Sequence, residues 1–151
     1  MTTACRTLFA TVFLFVALSR CYADGSAEAL KALQGTWTGV EAGKEDKGKC
    51  TLKIDGKAVH FQGWSKQEWY KGSIKLVVDK KPYQMHGTIT DCPEPDFVGK
   101  TSLAIYKIKK GTLTLVGRRP GDPEGPTGFD DKKARRFVLE KAPANKDSAG
   151  G

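Results

Sequence analysis

Few residues in this chain have the chemistry for nucleophilic or metal catalysis. There are two histidines, His60 and His86, and two cysteines beyond residue 23, Cys50 and Cys92. A nucleophile needs a base within hydrogen-bond reach. Strand alternation sets His60 opposite Val59 and Phe61, and His86 opposite Met85 and Gly87, so both imidazoles turn to water when their neighbours turn inward. Catalytic groups must converge in a pocket, and these do not, so the chain reads as a non-enzyme with no catalytic residue. A zinc site built from Cys50, Cys92, His60 and His86 would call for spacing such as C-x-x-C or H-E-x-x-H, and the sequence has neither. The acid pairs Asp130 with Asp131 and Glu94 with Asp96 match no twelve-residue calcium loop and read as solvated loop carboxylates. No metal and no cofactor is expected.

The cysteines point to a compartment instead. Arg6 precedes the uncharged apolar run Leu8 to Leu18, and Cys21-Tyr22-Ala23 supplies a cleavage region, so residues 1–23 read as a secretory signal peptide. The run is too short to span a bilayer, which takes about twenty apolar residues, and the chain is not expected to cross a membrane. Leu18-Ser19-Arg20-Cys21 also resembles a lipobox that would lipidate Cys21, although Arg20 stands where a small residue is wanted. The expected location is the periplasm or the medium. An even pair of cysteines in an exported chain predicts a disulfide, Cys50–Cys92. The net charge of +8 comes from lysines interleaved with acids, which reads as a solubilising face; no nucleic-acid partner is expected.

The elements that position these residues are nearly all strands. Residues 26–34 form a short helix, with Ser26 placed to cap it and Gly35 to stop it, inside an N-terminal segment 24–35. Eight β-rich runs follow, at about 36–41, 49–54, 57–62, 68–78, 82–89, 101–109, 112–118 and 135–141. Asp55-Gly56 predicts a type I′ hairpin turn, and Lys109-Lys110-Gly111 and Asp79 to Pro82 predict two more tight links. Short links make consecutive strands antiparallel neighbours. The prediction is an all-β protein, an eight-strand antiparallel up-and-down barrel in one domain over 36–141, with a short N-terminal helix. Residues 90–98 and 119–131 are Pro- and Gly-rich loops, the second long enough for a binding loop, and 142–151 reads as a disordered tail.

Alternation then selects inward faces. A hollow barrel would be walled by Phe61, Tyr70, Ile74, Leu76, Tyr83, Met85, Leu103, Ile105 and Leu115. Gly72 would leave room in the lumen, and Trp64 on the 62–68 loop would stand as a gate. Such a wall suits a small, mostly apolar guest.

Gly35-Thr36-Trp37, directly after the helix, resembles the G-x-W signature of the lipocalins. That resemblance implies a structural Trp37 at the narrow end, covered by a basic residue of the last strand, here Lys141 where the family has Arg. Residues 29–141 are similar to a narrower group, exported proteins of planctomycete type with a lipocalin-like domain and no established activity. The similarity rests on Leu33-Gln34-Gly35-Thr36-Trp37, Tyr70-Lys71-Gly72, Lys80-Lys81-Pro82, Gly99-Lys100-Thr101 with Leu103-Ala104-Ile105-Tyr106, and Thr112 to Leu115 through Arg119-Pro120-Gly121. The functional expectation is an exported monomer that binds a small hydrophobic ligand. The alternative is a structural or interaction protein of the cell envelope, with a packed barrel and a basic face for its partner.

Overall fold

A computed structural model describes residues 25–143. The signal-peptide and lipobox readings, and all but the first two residues of the 142–151 tail, lie outside the described residues. Helix α1 (Gly25–Leu33) leads into eight strands: β1 (Gly35–Glu41), β2 (Cys50–Asp55), β3 (Ala58–Gln62), β4 (Trp69–Val77), β5 (Tyr83–Asp91), β6 (Thr101–Lys109), β7 (Thr112–Gly117) and β8 (Arg135–Lys141). Each strand pairs antiparallel with the next, and β8 returns to β1, closing an up-and-down barrel.

The two tightest hairpins use different turn chemistry. Asp55 pairs with Ala58, so the first turn is Gly56-Lys57 rather than Asp55-Gly56. Only Gly56 has positive φ (58°), the type II′ pattern with glycine first, which corrects the type I′ expectation. Lys110 and Gly111 both have positive φ (51° and 78°), and the type I′ turn is there, between Lys109 and Thr112.

The ends of the barrel differ. Helix α1 and the three short hairpin links gather at one end, which Trp37 plugs with its ring 2 % exposed. The Trp37 indole donates to Leu33 O at 2.8 Å, and Lys141, its cross-strand neighbour on β8, sets its ammonium 5.4 Å from the ring centroid. Gln34 joins the helix end to the β2–β3 turn, donating to Gly56 O and accepting from Gly56 N. Gly35 turns the chain between helix and strand at φ 107°, and a β-carbon there would stand 3.2 Å from Lys141 Cε. The structural roles expected of Gly35, Trp37 and Lys141 thus coincide in one plug.

At the other end lie the four longer connections. The β5–β6 link is a single turn of 3₁₀-helix, Pro95–Phe97, rather than an irregular loop, and β5 runs to Asp91, two residues beyond the expected end. The added length contains a bulge: Lys71 pairs with Asp91 and Gly72 with Ile89, leaving Thr90 unmatched, its hydroxyl donating to Lys71 O.

The disulfide expectation is overturned. Cys50 and Cys92 are both free and buried, in separate apolar clusters. Cys50 opens β2 inside the main core, whereas Cys92 packs with Ile89, Phe97 and Tyr70 under the 3₁₀ turn and donates from Sγ to Glu94 O at 3.0 Å.

Candidate functional site

The barrel is hollow toward the end with the long connections, where a cavity of about 620 Å³ opens. Its wall is built by alternation: Tyr70 and Ile74 from β4, Met85, Gly87 and Ile89 from β5, Ala104 from β6, Leu115 from β7, and Phe137 from β8. Small residues of the wall, Gly87, Ser102, Ala104 and Gly117, leave space. A β-carbon at Gly87 would meet nothing within 4 Å, and its neighbour across the β5–β6 ladder is Ser102. One step deeper, Met85 faces Ala104.

Four aromatic rings of this wall form a continuous arc. Phe97 lies 6.4 Å from Tyr70 between centroids, Tyr70 stacks 6.2 Å from Phe61, and Phe61 meets Phe137 edge-on at 5.1 Å. A guanidinium closes each end: Arg119 over Phe97 at 4.9 Å, and Arg135 over Phe137 at 5.1 Å. The arc is apolar surface with polarisable faces, suited to alkyl or ring systems.

The mouth is cationic. Lys71, Arg118, Arg119, Lys133 and Arg135 border it, with Glu94 as the single bordering acid. Two of these cations are already neutralised. Arg135 clasps Glu41 with Nε and Nη2 and meets Glu68 through Nη1, and Lys44 adds a 3.0 Å bond to Glu41. Burial raises the Glu41 pKa, but the bonds from Arg135 and Lys44 outweigh it and hold the carboxyl below its usual range. Burial likewise opposes the charge on Arg135, and its two carboxylate partners more than compensate, so it stays protonated. Arg118 donates from Nη2 to Asp131 at 2.8 Å, while its Nε is buried without a partner among the described residues.

Asp131 also organises the 118–134 segment. Its carboxylate accepts from Thr127 N and Lys133 N as well as from Arg118, and those bonds, the backbone ones foremost, lower its pKa. The segment lies along the outer wall and does not close the lumen as a lid. Gly125 rests against Leu103, and Phe129 takes Lys107 Nζ 4.4 Å from its ring centroid. Its two ends nevertheless deliver Arg118, Arg119, Pro120 and Lys133 to the mouth.

Of the expected wall, Phe61, Tyr70, Ile74, Met85 and Leu115 line the cavity. The other six residues are corrected. Leu103 and Ile105 alternate with Ala104 and face the outer wall, where Ile105 pairs with the fully buried Val116. Leu76 and Tyr83 pack against the main core instead of bordering the cavity, and Tyr83 lies 6.0 Å from Tyr106 between ring centroids. Trp64 is exposed beside Gly48 and gates nothing. Gly72 makes no room, because a β-carbon there would lie 2.1 Å from Thr88 O; glycine permits the close approach of β4 to the bulged β5.

Sequence reasoning missed Phe97, Phe137, Gly87 and the basic mouth. Phe137 and Gly87 were findable, since they alternate in phase with Leu139 and Met85. His60 is exposed and edge-on to Trp69, and His86 bonds to Gln84 at 2.9 Å; neither borders the cavity. Among the described residues no cluster of three or more His, Cys, Asp or Glu could hold a metal ion, and no helix is long and apolar enough to cross a membrane. No family model, curated protein or solved structure matches this chain.

Proposed function

We propose that this protein is a binding module, not an enzyme, and that it holds a small, mostly apolar molecule inside the barrel. The observation carrying this reading is the cavity of about 620 Å³ with its aromatic arc, within the usual size range of small-molecule sites. A hollow interior favours a ligand over the envelope-interaction alternative, which requires a packed barrel. The signal-peptide reading adds that the guest is met outside the cytoplasm, in the periplasm or the medium.

Affinity follows from area. Burying about 400 Å² of apolar guest surface contributes about 10 kcal/mol at ~25 cal/mol per Å². After an association cost of at least about 4 kcal/mol, the Kd falls near tens of micromolar. A twelve-carbon chain is long enough to reach that area.

Gly87→Leu tests the site, because it places a side chain in open lumen without backbone conflict. Calorimetric titration with neutral guests such as dodecanol and an isoprenoid alcohol should show saturable binding that Gly87→Leu abolishes while the melting temperature holds. Binding that survives Gly87→Leu unchanged places the guest elsewhere, and no saturable binding of any neutral or charged apolar guest removes the reading.

A further inference from the structure

The charge pattern at the mouth names the class of guest, on the premise that the cavity is a binding site. Three acids close to the mouth are engaged, Glu41 and Glu68 with Arg135 and Asp131 with Arg118, whereas Glu94, which borders it, is in no ion pair among the described residues. Lys71, Arg119 and Lys133 border the cavity and have no acidic partner among the described residues; the Lys71 ammonium lies 5.4 Å from the centroid of Trp69, on the face of β4 opposite Tyr70, which leaves Arg119 and Lys133 for the head group. Arg119 is already oriented, its guanidinium stacked 4.9 Å over the ring of Phe97 at the lip, which leaves its edge free for hydrogen bonds. Lys133 is held by its backbone N–H, which donates to Asp131 at 2.9 Å. The single opposing charge at the mouth is the exposed Glu94.

From these residues we infer that the guest is an anionic amphiphile, an apolar chain or ring system bearing one carboxylate or comparable anionic group. The apolar part lies along the arc from Phe97 to Phe137. The head group stays at the mouth, between the guanidinium of Arg119 and the ammonium of Lys133. Because the head remains near water, its bonds to the two cations need little desolvation, and orientation follows: chain inward, charge outward. A cationic head of the same length meets repulsion in the same place.

The experiment compares three guests sharing a twelve-carbon chain, dodecanoate, dodecanol and dodecylamine, titrated calorimetrically into the full chain. Dodecanoate should bind about tenfold more tightly than dodecanol, the effect of one charge-assisted contact of about 1.4 kcal/mol. Dodecylamine should bind more weakly than dodecanol. The double variant Arg119→Gln with Lys133→Gln, at two exposed positions, should bring dodecanoate and dodecanol to the same affinity. In the unaltered protein, raising the salt should weaken dodecanoate alone, which reports on the same contact without any variant. Equal affinities for acid and alcohol, or a preference that survives both the variant and high salt, overturn the head-group assignment and leave the cavity standing. If neither acid nor alcohol binds, the cavity reading falls and the head-group assignment with it.

Discussion

Arg135, the first residue of β8, clasps Glu41, the last residue of β1, with Nε on Oε1 at 2.9 Å and Nη2 on Oε2 at 2.7 Å. The pair bridges the seam where the last strand meets the first, so it locks the closure of the barrel at its open end. The two partners are unequal: the Glu41 side chain is 4 % exposed and that of Arg135 is 38 % exposed. Arg135→Met strands a buried carboxylate with only Lys44, and should cost about 2–3 kcal/mol, short of the roughly 3–5 kcal/mol of a fully buried pair. Glu41→Gln leaves Arg135 with Glu68 and water and should cost about 1 kcal/mol. The double variant should cost less than the sum. Because the Glu41 pKa is depressed, its stabilisation is complete above the ordinary carboxylate value and is lost as the pH falls through the lower folded value. Urea titrations of the variants across the acid range measure both effects; a Glu41→Gln protein with the same acid dependence as the unaltered one contradicts the assignment.

The plug at the other end has a different physical basis. Trp37 is an apolar filler with one satisfied donor, and its loss leaves a large void among Leu33, Leu113 and Leu139. Trp37→Ala should lower stability by about 3–5 kcal/mol. Lys141→Met retains the stem and loses the charge over the ring, so it should cost at most about 1 kcal/mol. Thermal denaturation of both variants checks the ranking, and an unchanged melting temperature in Trp37→Ala would show that the indole is no plug.

Tyr106 carries a hydroxyl that is buried with no partner among the described residues. Burial, with Tyr83 nearby, pushes its pKa up to about 12. The raised value means that the folded state is favoured at every pH below 10, and that this contribution disappears as the pH climbs from 10 through about 12. Tyr106→Phe removes the orphan group and should be neutral or stabilising by about 1 kcal/mol at neutral pH, with the alkaline transition moved upward. Tyrosinate absorbance followed against unfolding measures this, and a destabilised Tyr106→Phe would mean that the hydroxyl has a partner after all.

Both cysteines should be thiols in the folded protein. Burial, with the Glu41 charge adding, pushes the Cys50 thiol up and slows its reaction with alkylating reagents. Alkylation without reductant should be slow in the native state and complete at both Cys50 and Cys92 in denaturant. Peptide mapping decides it, and a recovered 50–92 cross-linked peptide would contradict the structure.

Much of this architecture was legible because period-two alternation and turn residues are local signals. The helix with its Gly35 stop, the eight strands and the Lys110-Gly111 hairpin all follow from them, whereas the approach of Lys141 to Trp37 was implied by the lipocalin resemblance. Where both faces of a strand are apolar, alternation yields two sets and does not choose between them. On β6 those sets are Leu103 with Ile105, and Ala104 with Tyr106. The hairpin register chooses: Leu115 lies opposite Tyr106, so an inward Leu115 carries Tyr106 inward and sends Ile105 outward, where the 118–134 segment runs along that wall. Leu115 and Ile105 cannot both line the lumen, a constraint of cross-strand pairing that single-strand patterns do not contain. The same holds for the glycines. Gly72 and Gly87 look alike in sequence, but the bulge at Thr90 brings β5 backbone against Gly72, while Gly87 faces open space. The sequence by itself determined the strands and where the chain turns between them, which are set by neighbours a few residues apart. Only the tertiary structure decided which faces turn inward, that the cysteines sit in different clusters, and that Arg119 and Lys133 meet at one mouth, because each depends on residues that closure of the barrel brings together.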